Sequence, residues 1–166
     1  MEIRSRLPEH PIPEGVRRAV QMGRLVVDGL VEQASAFSPA DLAGLPRAEL
    51  TEPFICEEGW QVPRLTWCGV RLLDVLAIAQ PRAEAHWLRV SAGEYAVPLS
   101  LEEAGQAILA DELNGQPLSL SHGGPWRLVM SGAACFSSVK WVDHLELAAE
   151  PGEASGEAIA RARLAT

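Results

Sequence analysis

The chain contains 166 residues, 48% of them hydrophobic, and carries a formal net charge of −8 at pH 7. This length favours one domain with a substantial core and argues against two. The acidic balance argues against a nucleic-acid partner, because such a partner requires a basic face. The three cysteines include no CxxC pair, which argues against a disulfide framework or a zinc site.

The sequence shows neither a signal peptide nor a membrane span. Its N-terminus has no apolar core, no twin arginine and no cleavage site of small residues. No apolar run reaches the roughly 18 residues that a membrane span requires. We therefore expect a cytoplasmic protein with no membrane span.

Turn residues and apolar alternation divide the first half of the chain into short elements. Ser38 followed by Pro39 is typical of a helix start, with serine as N-cap and proline at the first helical position. Pro81 ends a second helix because proline cannot continue one. The predicted elements are an N-terminal arm over residues 1–22, strands over 24–31 and 49–56, and helices over 39–44 and 70–79.

The second half of the sequence contains signals for hairpins and further strands. Asn114-Gly115 is a strong hairpin signal, and Ser100 with Glu103 forms a capping box that begins a short helix. Many short strands with few short helices indicate an α+β, mostly β domain. The predicted strands cover residues 86–91, 94–98, 108–113, 116–120, 126–130 and 140–147, the domain covers 23–150, and a flexible C-terminal tail covers 151–166.

Two segments carry the chemistry. The first places the thiol of Cys56 at the end of an apolar strand, before a Gly59-Trp60 turn. A deprotonated thiol is a soft, strongly donating metal ligand. The second, from His122 to Lys140, places cations and hydrogen-bond donors among glycines and serines, which suits a phosphate group. A soft ligand in one half and an anion cradle in the other predict a metal-bearing organic cofactor between them.

The order and spacing of these motifs resemble the sulfite oxidase family. The resemblance is to the molybdopterin-binding domain shared by sulfite oxidase, assimilatory nitrate reductase and the catalytic subunit of bacterial methionine-sulfoxide reductase. It runs from about Leu25 to Leu147 and implies a sulfite-oxidase-type fold with short helices. It is carried by Cys56-x-x-Gly59-Trp60, Trp67-x-Gly69-Val70, Asn114-Gly115-x-Pro117-Leu118, His122-Gly123-x-Pro125-x-Arg127-Leu128-Val129 and Ser138-Val139-Lys140-Trp141-Val142.

The resemblance implies a molybdenum held by the dithiolene of one pyranopterin and by one protein cysteine. Cys56 matches that cysteine and is thus the expected metal ligand and catalytic residue. The positions that match the family's contacts to the pterin and its phosphate are His122, Arg127, Ser137, Ser138, Val139 and Lys140. The other cysteines, Cys68 and Cys135, are expected to be small buried hydrophobic residues.

The implied activity is that of a molybdenum-dependent oxidoreductase. It would transfer an oxygen atom and two electrons to or from a small-molecule oxo-acceptor or donor, with an external electron-transfer partner. The family's arginine ahead of the cysteine has no counterpart beside His10, which favours a neutral substrate such as a sulfoxide or N-oxide. Two alternatives stay open. One is a non-catalytic molybdopterin-binding module or subunit of a larger redox complex, and the other is an interaction domain with an empty pocket.

Overall fold

The computed structural model describes residues 1–166, with eleven strands and five α-helices. None of the helices combines the length and apolarity needed to cross a lipid bilayer. The expected α+β, mostly β class is confirmed. In chain order the elements are β1 (Glu2–Ile3), α1 (Glu14–Met22), β2 (Leu25–Gly29), β3 (Ser35–Phe37), α2 (Pro39–Leu42), β4 (Arg47–Cys56), β5 (Trp60–Arg71), α3 (Leu72–Ala79), β6 (Trp87–Ala92), β7 (Tyr95–Ser100), α4 (Leu101–Ala104), β8 (Ala107–Leu113), β9 (Gln116–Pro117), β10 (Arg127–Met130), β11 (His144–Ala148) and α5 (Ser155–Leu164).

The strands form two sheets. In the first, β5 pairs with β4 along one edge and with β8 and β1 along the other, and β8 continues to β10 and β9. The second has the order β3-β2-β11-β6-β7, in which β11 runs parallel to β2 and antiparallel to β6. The first sheet carries both chemical segments, since Cys56 ends β4 and Arg127 begins β10.

Capping groups begin the short helices where the sequence predicts them. The Ser38 side chain accepts a hydrogen bond from the backbone N–H of Asp41 at the start of α2. Ser100 accepts one from Glu103 at the start of α4. These bonds satisfy N–H groups that have no partner within the helix. The predicted helix over residues 70–79 begins later, at Leu72, because the preceding residues extend β5.

Strand β5 has no counterpart among the predicted elements, although it is the longest strand of the protein. Its apolar alternation is interrupted at Pro63. The β4–β5 register also shifts between Glu52 and Phe54, on either side of Pro53. Proline cannot donate to a sheet ladder, so both prolines occupy the irregular part of the pairing. Because the apolar alternation is interrupted at Pro53 in one strand and at Pro63 in the other, the sequence pattern does not reveal the long β4–β5 hairpin.

The predicted strand over residues 140–147 is wrong in its first part. Only His144–Ala148 forms a strand, and Trp141 has a left-handed backbone with φ of 56°. The N–H of Trp141 donates to the carbonyl of Gly123 at 2.8 Å. Residues 140–143 therefore form a loop that is bonded to the His122-Gly123 segment.

Both chain ends differ from the predicted surface arm and flexible tail. Residues 14–22 form α1, in which Val16 is buried and joins the main core. Residues 155–164 form α5, in which Gly156 is buried against Tyr95. In α1 the prolines precede the helix and cannot break it. In α5 the alanines favour helix, a preference that the mixed composition of the tail conceals.

The buried side chains form two clusters. The larger contains 27 residues and lies between the sheets with α1 and α3. The smaller contains ten residues, including Cys56, Trp60, Trp67 and Leu7. Leu7 comes from the predicted surface arm, so this segment contributes to the apolar surroundings of the metal-ligand candidate.

Gly69 allows β5 and β8 to approach closely, since a Cβ there would lie 1.9 Å from the carbonyl oxygen of Leu109. We expect Gly69→Ala to cost about 2–3 kcal/mol of unfolding free energy, because the added methyl overpacks a buried contact. The melting temperature should fall by roughly 5–10 °C. Gly44→Ala is the matched control, since nothing lies within 4 Å of its added Cβ. Equal melting temperatures for the two variants would contradict this account of the strand contact.

Candidate functional site

The thiol of Cys56 is presented by a short hairpin loop. Cys56 pairs with Trp60 across the β4–β5 ladder, and the N–H of Gly59 donates to the carbonyl of Cys56 at 3.1 Å. Gly59 has φ of 89°, a conformation that glycine adopts without strain. The loop leaves the sulfur at the end of a paired strand, which is a rigid position for a ligand.

Aromatic packing and burial surround this sulfur. Trp60 stacks on Phe54 with ring centroids 5.7 Å apart, and Cys56 itself is 8% exposed. The Trp60 indole N–H donates to the Glu58 carboxylate at 3.1 Å, and the same oxygen lies 3.4 Å from the Cys56 sulfur. Burial is the main cause that raises the pKa of the Cys56 thiol to about 12. A bound metal cation reverses this preference, because it stabilises the thiolate directly.

The two glycines that follow His122 are required by close approaches. Gly123 has φ of 110°, and a Cβ on it would lie 2.8 Å from the Cβ of Lys140. A Cβ on Gly124 would lie 2.5 Å from the carbonyl oxygen of Leu118. Gly123 thus allows the loop that carries Lys140 to lie directly on the segment after His122, and Gly124 allows that segment to lie on Leu118.

Arg127 is a buried cation without a carboxylate partner. It is 2% exposed and makes no ion pair. Its Nε donates to Ser138 Oγ at 2.9 Å and one terminal nitrogen donates to the His122 carbonyl at 2.9 Å. The guanidinium also lies over the rings of Phe54 and Trp67, at 5.4 and 5.1 Å from their centroids. Burial lowers its pKa to about 10.

Lys140 is a second cation without a carboxylate. Its Nζ lies 2.5 Å from His10 Nδ1 and 5.6 Å from the ring centroid of Trp141. Burial, and after it the charges of Arg127 and Arg163, together lower the pKa of Lys140 to about 7. Burial and the charge of Lys140 also lower the pKa of His10. The surroundings therefore lack the negative charge that would keep these groups protonated.

The other residues predicted to contact the cofactor, which are His122, Ser137, Ser138 and Val139, bond to protein atoms in the structure. Both ring nitrogens of His122 face protein atoms, the Ser119 hydroxyl at 2.9 Å and the Leu7 carbonyl at 3.3 Å. The backbone N–H groups of Ser137, Ser138 and Val139 donate to carbonyls of their own turn. The Ser138 hydroxyl holds Arg127, so this loop acts in the structure by positioning the cation.

The prediction for the other two cysteines is wrong. Cys68 is half-buried, and its sulfur lies 3.4 Å from a guanidinium nitrogen of Arg47. Cys135 is also half-buried, and its sulfur lies 3.8 Å from that of Cys56. No local sequence signal relates two cysteines that are 79 positions apart, because only the tertiary fold joins their loops.

Other residues near the site come from the chain ends. His10 contacts Lys140, and the position of His10 in the family's N-terminal segment was the only sequence signal for it. The carboxylate of Glu57, beside Cys56, accepts a hydrogen bond from Arg161 of α5 at 3.3 Å. The Tyr95 hydroxyl donates to the Phe136 carbonyl, next to Cys135. Because α5 lies in the predicted tail, no signal in the sequence indicated that Arg161 lies beside Glu57.

Taken together, the geometry fits an anionic metal cofactor. The Cys135–Ser138 turn connects the two predicted halves, since it contacts Cys56 at one end and Arg127 at the other. A soft sulfur donor stands at one side of this turn. The cations Arg127 and Lys140, which have no carboxylate partner, stand at the other. Such charges are stabilised by a bound anion, and phosphate matches a guanidinium and an ammonium well.

The comparisons with known proteins agree with this fit. The oxidoreductase molybdopterin-binding domain family matches residues 11–155. The chain is 32% identical over 129 residues to the uncharacterized oxidoreductase YuiH of Bacillus subtilis. The matched region covers 76% of this chain and 65% of YuiH. The chain is 26% identical to sulfite oxidase of Arabidopsis thaliana over 86% of this chain and 46% of that protein.

A solved structure gives the same result for the fold. The sulfane dehydrogenase SoxCD from Paracoccus pantotrophus superposes with a TM-score of 0.72 and 28% identity, over 78% of this chain and 39% of that one. The chain thus spans between 39% and 65% of the length of these relatives. The family match extends over most of the chain and includes both Cys56 and the cation pair. The protein belongs to the oxidoreductase molybdopterin-binding domain family, the family of sulfite oxidase.

Proposed function

We propose that this chain binds a molybdenum–pyranopterin cofactor and catalyses two-electron oxygen-atom transfer on a small substrate. The observation that carries the proposal is a pair of cations with no carboxylate near either, the buried Arg127 and the half-buried Lys140. A buried cation costs several kcal/mol unless an opposite charge compensates it. The phosphate of the pterin supplies that charge, and Cys56 supplies the sulfur ligand at the other end of the cofactor.

Each residue has a separate task in this proposal. Arg127 and Lys140 bind the phosphate, and Ser138 keeps the Arg127 guanidinium oriented. Residues Ser137 and Val139 shape the loop, while His122 contributes its carbonyl to Arg127 and positions its ring against the N-terminal segment. Cys56 anchors the metal from a paired strand end and tunes it by strong donation. The stacked aromatic rings of Phe54 and Trp60 exclude water from the protein-facing side of the Cys56 sulfur.

The bound molybdenum supplies the two-electron redox chemistry. When a substrate gains an oxygen atom from water, two electrons and two protons are released, and the reverse direction consumes them. An outside redox protein exchanges these electrons, and this external partner is part of the proposal. The protein's own contribution is to bind, orient and shield the reacting centre.

The central experiment is expression in a host that synthesises the cofactor. We expect molybdenum and pterin in about equimolar amounts with the chain, and turnover of an artificial oxo-acceptor with dye electrons. Bound cofactor without any turnover would instead favour the non-catalytic module. A chain free of both metal and pterin would contradict the proposal.

Arg127→Met tests the phosphate contact. A charge-assisted hydrogen bond contributes about 1.5–3 kcal/mol, so the pterin content after purification should fall roughly ten- to a hundredfold. The melting temperature of the cofactor-free chain should stay within a few degrees, because methionine fills the volume and removes an uncompensated charge. The control is Arg89→Met, since Arg89 is another arginine on a sheet strand but is more exposed, lies on β6 and faces Glu146. Unchanged pterin content in Arg127→Met would exclude this role.

The depressed pKa of Lys140 predicts a pH-dependent affinity for anions. In the folded, cofactor-free chain the pKa of Lys140 is about 7, well below its usual value of 10.5, so the amine loses its proton as pH rises above 7. Only the protonated form attracts an anion. Affinity for sulfate, whose own charge is constant in this range, should therefore fall about fiftyfold between pH 7 and pH 9. The measurement is the rise in melting temperature with sulfate, against chloride at equal ionic strength.

Lys140→Arg provides the comparison for that measurement, because a guanidinium keeps its charge at pH 9. We expect this variant to retain the sulfate effect at both pH values. A parent protein that responds to sulfate equally at pH 7 and pH 9 would show that Lys140 does not bind the anion.

Cys56→Ser tests the metal ligand. Serine has nearly the same volume but offers a hard, poorly ionised oxygen, so the sulfur-to-metal charge-transfer band should disappear. The rate of oxygen-atom transfer should fall by more than about a hundredfold, because loss of a residue that only contacts a metal ligand already costs roughly ten- to a hundredfold. Cys68→Ser should keep both spectrum and turnover, because its sulfur lies against Arg47. A parental spectrum in Cys56→Ser would rule out this cysteine as the ligand.

A further inference from the structure

Cys56 and Cys135 form a sulfur pair that metal binding alone does not require. Their sulfur atoms are 3.8 Å apart, in van der Waals contact, although the residues are 79 positions apart in the chain. Cys56 comes from the end of β4, and Cys135 opens the single turn Cys135–Ser137. All three cysteines of the chain are free thiols, and Cys68 contacts Arg47 instead of another sulfur.

The turn that carries Cys135 is held at several points beside the sulfur. The Tyr95 hydroxyl donates to the carbonyl of Phe136, and Arg161 of α5 lies over the Phe136 ring at 5.9 Å. The Ser138 hydroxyl accepts the bond from Arg127. These contacts keep the Cys135 sulfur facing Cys56, so the pairing is a property of the fold and not of a free loop.

The segment before the turn leaves the Cys135 side accessible from solvent. Residues 131–134 are exposed, and Cys135 is more exposed than Cys56. A disulfide requires about 2.05 Å between sulfurs, so each loop needs to move by only about an ångström. Cys135 is the sulfur that a small reagent reaches first, because Cys135 is half-buried whereas Cys56 is buried.

We propose that Cys56 and Cys135 form a reversible disulfide in the cofactor-free chain, and that this bond blocks insertion of the metal cofactor. The oxidant is a low-molecular-weight disulfide such as oxidised glutathione. The Cys135 thiolate attacks it and releases one thiolate, and the Cys56 thiolate then attacks the Cys135 sulfur of the mixed disulfide and releases the second. Two protein thiols lose two electrons and two protons, and the small disulfide becomes two thiols.

The consequence for the site follows from the loss of the thiolate. A sulfur in a disulfide is a poor ligand, whereas the reduced thiolate binds a metal strongly. The cofactor-free chain therefore has to be reduced before Cys56 can accept the metal. Once the metal is bound, Cys56 is protected, and Cys135 remains a free thiol. The disulfide itself is independent of the proposed function, but its effect on cofactor insertion rests on that function.

The first measurement is a count of free thiols in the full cofactor-free chain after equilibration with oxidised glutathione. We expect the count to fall from three to one, with an intact mass lower by two hydrogen atoms and a Cys56–Cys135 peptide pair after digestion. Cys68→Ser should fall from two thiols to none. Cys135→Ser should form no internal disulfide. Three remaining thiols, stable glutathione adducts alone, or a Cys56–Cys68 bond would overturn the proposal.

The second measurement is uptake of the pterin cofactor, followed by pterin fluorescence after release. The oxidised parent should take up at least about tenfold less pterin than the reduced parent, and reductant should restore uptake. Cys135→Ser should take up pterin equally before and after oxidant treatment. Equal uptake by oxidised and reduced parent would overturn the block. Failure of the reduced parent to take up any pterin would overturn the proposed function and the block together, while the thiol count would still decide the disulfide.

Discussion

A guanidinium withdrawn from water without a carboxylate partner is the constraint around which the site is arranged. Arg127 is bonded to a hydroxyl and a carbonyl and lies between aromatic rings, so its immediate surroundings are polarisable but not anionic. The protein thereby keeps an uncompensated positive charge at the start of β10. The glycines after His122 and the left-handed backbone of Trp141 bring Lys140 against the His122-Gly123 segment. The carbonyl of His122 in that segment also accepts a hydrogen bond from Arg127. An anion that fits between these groups relieves the desolvation of both charges at once.

The Cys56 sulfur and the Arg127 guanidinium belong to one sheet but to different parts of it. Cys56 ends β4, at one edge, and Arg127 begins β10, which follows β8. The link between them is Phe54, which stacks on Trp60 near the sulfur and lies beneath the guanidinium of Arg127. In the proposed complex, an extended cofactor would contact the soft ligand at one end and the cations at the other.

The sequence predicted the elements whose signals are local and missed those that depend on tertiary pairing. Ser38 and Asn114-Gly115 mark a cap and a turn by their own chemistry, and both appear in the structure. β5 was hidden by Pro63 and by the register shift near Pro53, because an alternation rule assumes an uninterrupted ladder. Helix α1 was hidden by the prolines that precede it.

The same division applies to the candidate site. Resemblance to the family predicted Cys56, Arg127 and Lys140, and the structure places them around a common turn. It could not predict that the thiol of Cys135 touches that of Cys56, nor that α5 reaches Glu57. Those contacts join positions that are 79 and 104 residues apart, and no pattern within either segment specifies the other. What remained unpredicted was which distant residues surround the candidate groups, because only the tertiary fold brings them together.

The loop after Cys56 is bonded to both extremities of the chain. The N–H of Glu2 in β1 donates to the carbonyl of Gly59 at 2.9 Å, and Arg161 in α5 bonds to Glu57. During synthesis the hairpin and β1 are available early, but Arg161 leaves the ribosome only after all the strands have been made. The surroundings of Cys56 are therefore incomplete until α5 has been made and has docked. Completion of this site thus waits for a residue that lies 104 positions after Glu57 in the chain.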